Sequence, residues 1–152
     1  MAHAAGTTAR THRLIGLLAA LLLAAATALA FGRVFLGTTT TMKLLGAAIA
    51  AACLAVVFER RSLLLSTVAS GIGLAAAVGL IVFPGSTWYG LPTGDTLRAA
   101  LDAAALVGEQ ARIQAAPAEP IGPLLLAAVV SLWAALFSAH ALAFRAGVRF
   151  SD

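Results

Sequence analysis

The sequence predicts an all-α, polytopic membrane protein: four transmembrane helices, with one extracytoplasmic amphipathic helix between the third and the fourth. Two observations lead there. Hydrophobic residues make up 61% of the 152 residues and charged ones 11%, which leaves too little polar surface to keep a soluble globule in water. The apolar residues are also gathered into four stretches, approximately 14–31, 39–58, 63–83 and 121–144, separated mainly by one long polar interruption over 84–120. Stretches of that length match the hydrocarbon thickness of a bilayer. The chain is read as one membrane domain, 1–152, with no room for a separate soluble catalytic domain.

The first stretch, LIGLLAALLLAAATALAF, follows Arg10 and Arg13 and gives about 27 Å of helix at ~1.5 Å per residue. A basic segment, an apolar run and Ala28-Leu29-Ala30 at its end also fit a cleaved leader, but the run exceeds the ~7–15 apolar residues of a leader core, which favours a retained span. The strictly apolar part of the second stretch, 44–58, is short. The threonines at 38–41 are therefore expected to join the helix while Lys43 snorkels to the interface. Its alanine-rich surface suits close helix contact, with Gly46 and Ala50 four apart. The lone Cys53 cannot form an intrachain disulfide, and its mid-span position is expected to bury it.

Glu59-Arg60-Arg61-Ser62 is a tight charged link, so the second and third spans are expected to be antiparallel neighbours. The third span carries two small-residue series, Ala69/Gly73/Ala77 and Gly71/Ala75/Gly79. Either would let a second backbone approach closely, and Gly73 is singled out as a helix-contact residue. Pro84-Gly85 ends the span.

The polar interruption holds four of the six acidic residues, Asp95, Asp102, Glu109 and Glu119, and the aromatic pair Trp88 and Tyr89. Thr93 or Asp95 can cap a helix over about 94–115, stopped before Pro117. At about 100° per residue, Asp95, Arg98, Asp102, Glu109 and Arg112 share one arc of that helix. A charged stripe on an otherwise apolar helix suits a membrane surface or the underside of a partner domain. Leu97 and Leu101, on the apolar side, are expected to hold the helix in place. Arg98 and Asp102, four apart, form at most a weak surface pair. In the fourth span Ser131, Ala135 and Ser138 make a small stripe, opposite Trp133, Phe137, His140 and Phe144.

Orientation follows from the cations. With both termini cytoplasmic, Arg10, Arg13, Arg60, Arg61, Arg145 and Arg149 lie inside against Arg33, Lys43, Arg98 and Arg112 outside, which satisfies the positive-inside bias of a multi-pass plasma-membrane protein. No basic stripe interleaved with aromatics points to nucleic acid. Cys53 and His140 do not make a catalytic pair, since one lies mid-span and the other near the end of the fourth span. His140 could serve as a proton relay or haem ligand, but haem usually wants a second axial partner; a neutral histidine bonded to a carbonyl or serine is the simpler reading. No cofactor or metal pattern is present.

The motifs Phe83-Pro84-Gly85, Gly90-Leu91-Pro92-Thr93, Thr96-Leu97-Arg98 and Pro117/Pro120 resemble the amino-terminal membrane region of bacterial transglutaminase-like membrane proteins of the TgpA type, especially actinobacterial ones. The likeness covers roughly residues 60–149, and the first two spans only by hydropathy. That family places a Cys-His-Asp domain outside the membrane after further spans, and these residues hold no such domain. An acid often stands in the family where this chain has His140. The resemblance implies a non-enzymatic membrane anchor or scaffold in the cell envelope, lying in the bilayer and docking an extracytoplasmic transglutaminase-like domain or protein. Trp88, Tyr89, Leu97, Arg98, Leu101, Gly73 and His140 are the interaction candidates, with helix–helix oligomers a further expectation. The alternative is a small membrane subunit of a transporter of the tripartite tricarboxylate carrier type, although no paired ionisable groups line a path.

Overall fold

A computed structural model describes residues 18–58, 61–88 and 91–147. Tyr89, Arg60, Arg10, Arg13, Arg149 and the first residues of the 14–31 span lie outside them. The described chain is helical: α1 (Leu18–Gly32), α2 (Thr38–Val57), α3 (Leu63–Ile81), α4 (Gly94–Ile113) and α5 (Gly122–Gly147). Between α3 and α4 come a 3-10 turn, Pro84–Ser86, and a two-residue hairpin pairing β1 (Thr87–Trp88) with β2 (Leu91–Pro92). Three helices, over Thr38–Val57, Leu64–Ile81 and Gly122–Ala141, are long and apolar enough to cross a membrane.

The helix starts follow local chemistry. The four threonines do join α2, whose N-cap is Gly37 at φ 94°; that left-handed backbone is open to glycine and strained for a residue with a Cβ. At the head of α3, the Ser62 side chain accepts a hydrogen bond from the Leu65 amide, satisfying one of the donors a helix start leaves free. In α1 the Thr27 hydroxyl donates back to the Leu23 carbonyl at 2.7 Å, which hides its polarity inside the helix.

α5 is the central element, packing against α2, α3 and α4. Leu125, Val129, Leu132 and Leu136, spaced by three or four, face the core. They meet Leu44, Ala47, Ala48, Ala51 and Ala52 of α2 in the same cluster. Small alanines on α2 let the bulkier α5 come close, the arrangement expected where apolar lipid leaves packing to drive association. α1 adds Ala24 and Ala28, both fully buried. One turn on, a Cβ at Gly32 would sit 2.6 Å from Thr41 Cγ2 of α2.

Two expectations for α2 are corrected. Gly46 and Ala50 point out of the bundle, with nothing within 4 Å of a Cβ at Gly46; the packing side of α2 is the one carrying Ala47, Ala48 and Ala51. Cys53 is exposed on that same outer side rather than buried among helices. The stripe of Ser131, Ala135 and Ser138 is also outward, whereas Trp133 is only 3% exposed and packs inward.

The α1–α2 connection and the segment after α4 are tied together. Leu36 donates its amide to the Ala118 carbonyl at 2.9 Å, and Ala118 donates to the Val34 carbonyl at 2.7 Å, closing a parallel bridge between the buried Phe35 and Ala118. Both connections therefore sit at one end of the bundle, and the α2–α3 link sits at the other.

Candidate functional site

The segment that separates α3 from α5 is clamped at both ends. Its head is a knot of three hydroxyls. Thr93 Oγ1 and Thr96 Oγ1 both donate to the Ser86 carbonyl, at 2.7 and 2.6 Å, using the two lone pairs of one oxygen. Thr96 Oγ1 in turn accepts from the Thr93 amide at 3.0 Å and lies 3.0 Å from the Ser86 hydroxyl. Thr93 Oγ1 accepts from the Thr96 amide at 3.4 Å, so the pair forms a capping box with threonine in the place usually held by a glutamate or glutamine. Thr93, rather than Asp95, is thus the cap. The hydroxyl protons go to a carbonyl and not to a base, so the cluster is a clamp and not an activated nucleophile.

The tail of the clamp is the Phe35–Ala118 bridge, helped by the Glu119 amide donating to Gln114 Oε1 at 3.1 Å. Between the clamps α4 packs mainly on α5. Thr96 and Ala103 are buried, and Ala99, Ala100, Val107 and Gln110 half-buried, an arc of about 100° at 100° per residue. Sequence reasoning missed this polar-edged arc because its residues are small and their hydropathy is weak. Leu97 and Leu101, each 63% exposed, lie outside this arc and are not packed on α5.

α4 therefore has three sides: the inward arc, an outward apolar flank of Leu97, Leu101, Ala104 and Gly108, and a charged side of Arg98, Asp102, Glu109 and Arg112. The ion pair of Arg98 is with Asp95, three residues back at 4.0 Å, instead of Asp102; both side chains are 84% exposed, where such a pair contributes almost nothing. Trp88 is exposed on β1 beside this helix start. Gly73 lies elsewhere, at a junction of three helices: a Cβ there would collide with Leu54 Cδ1 of α2 and stand 2.9 Å from Trp133 Cζ2 of α5. One turn below it, Ser70 Oγ accepts a hydrogen bond from Trp133 Nε1 at 2.9 Å. His140, half-buried near the far end of α5 with its ring nitrogens shielded from solvent, is not brought to the α4 clamp. The chain matches no family model, no curated protein and no solved structure.

Thr96→Val tests the clamp. It removes the hydroxyl that serves three partners in a buried position, and an unsatisfied buried group costs about 1–3 kcal/mol. Amide hydrogen exchange at residues 94–97 is expected to accelerate while the α5 core stays protected, and Thr96→Ser should restore protection. Unchanged exchange in the valine variant would show that the knot does not hold α4.

Proposed function

We propose that this chain is a four-span anchor and scaffold of the plasma membrane, carrying no catalysis of its own, whose outer helix α4 docks an extracytoplasmic domain or protein of the transglutaminase-like kind that its motifs resemble. The observation that supports this most is the double clamp on α4: a helix fixed at both ends, with its charged side turned away from the bundle, is a preformed surface that loses little freedom when a partner binds. α1 is the fourth span in this reading, and both termini are cytoplasmic, with α4 outside. Its apolar flank rests at the level of the lipid headgroups, leaving Arg98, Asp102, Glu109 and Arg112 to the partner.

Two measurements test this. In a Cys53→Ala background, a cysteine at Glu109 should react with a membrane-impermeant maleimide in intact cells and one at Ser151 should not; the reverse pattern overturns the orientation. A photo-crosslinking residue at Asp102 should capture an envelope protein with a transglutaminase-like domain, and Arg98→Glu combined with Arg112→Glu should abolish the capture. If the wild-type surface captures no such protein, the docking role is wrong.

A further inference from the structure

Where α4 leaves α3, the two helices splay apart over α5 and leave an apolar groove of about 490 Å³. Gly71, Leu74, Ala75 and Val78 of α3 form one wall, Leu97 and Ala100 of α4 the other, and Leu126 and Val130 of α5 part of the floor. We infer that this groove holds one acyl chain of a bilayer lipid, wedged between α3 and α4. The inference rests on the membrane reading above.

Three features of the groove select that occupant. Water is a poor guest, because a dry apolar cavity offers it no partners, and the hydroxyls at the groove's end, Thr93 and Thr96, already donate to Ser86. A partner helix is too large: with a diameter of about 10–12 Å and a pitch of 5.4 Å, roughly one turn would fill the volume, whereas 490 Å³ lies within the range of about 300–1,000 Å³ typical of a single small apolar ligand. The walls also open sideways, since Gly71, Ala75 and Val130 are exposed on helices long and apolar enough to span a membrane. With the flank of α4 at headgroup level, the groove then opens downward along α3 and α5 into hydrocarbon, where an acyl chain lies.

The test uses the full chain in proteoliposomes containing a phosphatidylcholine with a photoreactive diazirine on one acyl chain, with labelled residues mapped by mass spectrometry. Leu74, Leu97 and Leu126 should be labelled, along with the outward Ile72 and Leu80. Nothing lies within 4 Å of a Cβ at Gly71, so Gly71→Phe can fill the groove without displacing a helix, and Val130→Phe fills it from the α5 side. Both variants should lose the label at Leu97 and Leu126 and keep it at Ile72 and Leu80. Labelling of Ile72 and Leu80 without any label in the wild-type groove, or groove labelling unaffected by both variants, overturns the inference. Absence of label at Ile72 and Leu80 as well overturns the membrane reading beneath it.

Discussion

Gly73→Leu is expected to break the bundle. A side chain at this position would enter space already occupied by Leu54 of α2 and by the Trp133 indole of α5, so two helices must move to admit it. Overpacking of this kind costs typically about 1–3 kcal/mol, and here the intruder meets two bulky neighbours at one point. Circular dichroism in mild detergent should show a clearly lower unfolding temperature than wild type, with loss of the folded species on size-exclusion. Gly71→Leu supplies the control, two residues away and with open space around its Cβ. It should leave stability unchanged or slightly raised, since leucine is the better helix former. Equal losses from the two substitutions would show that the cost is glycine's backbone freedom and not the α2–α3–α5 junction.

Trp133→Ala should have the second large effect, for the opposite reason. The indole is 3% exposed and fills the seam between α3 and α5. Truncating a core tryptophan costs about 3–5 kcal/mol in water-soluble proteins; inside a bilayer the water-transfer share of that is absent, leaving the lost packing as the main loss. Trp133→Phe keeps most of the volume, losing the hydrogen bond to Ser70 and the smaller share of the indole's packing. Interhelical hydrogen bonds in membranes average about 0.6 kcal/mol with a maximum near 1.7, so phenylalanine should cost well under half of what alanine costs. A double-mutant cycle with Ser70→Ala reads the bond directly. Strict additivity of Ser70→Ala and Trp133→Phe would mean that the pair at 2.9 Å contributes no coupling.

These two residues also show how far the sequence was a guide. The ladder Ala69/Gly73/Ala77, from which Gly73 was singled out, was visible as text, but spacing alone did not decide it: Gly46 and Ala50, and Gly71 and Ala75, are also small residues four apart, and all four are exposed. Trp133 was placed on a face but given no partner. Ser70, the atom that completes it, carried no signal beyond being one more small residue in an apolar run. The helix of the polar interruption, α4, was located to within two residues, and its cap narrowed to two candidates, because Pro84-Gly85, Thr93 and Pro117 punctuate it. Its packing side was not legible: Leu97 and Leu101 look like the adhesive face, yet the structure turns them outward and packs Thr96, Ala100 and Ala103 inward, since close approach to α5 favours small side chains over large ones.

By itself the sequence determined that the chain is helical and that its apolar runs are of membrane length, because a backbone in hydrocarbon must satisfy its own hydrogen bonds and a helix does so within each segment. It also determined where the helices stop, through proline, glycine and hydroxyl caps. Only the tertiary structure decided which side of each helix faces in. Inward and outward residues of α2 and α3 are equally apolar, as Ala48 beside Ala50 or Gly73 beside Gly71 shows, so no periodicity in hydropathy separates them. The choice falls to shape, and shape is settled by which bulky side chain, Trp133 above all, arrives from the neighbouring helix.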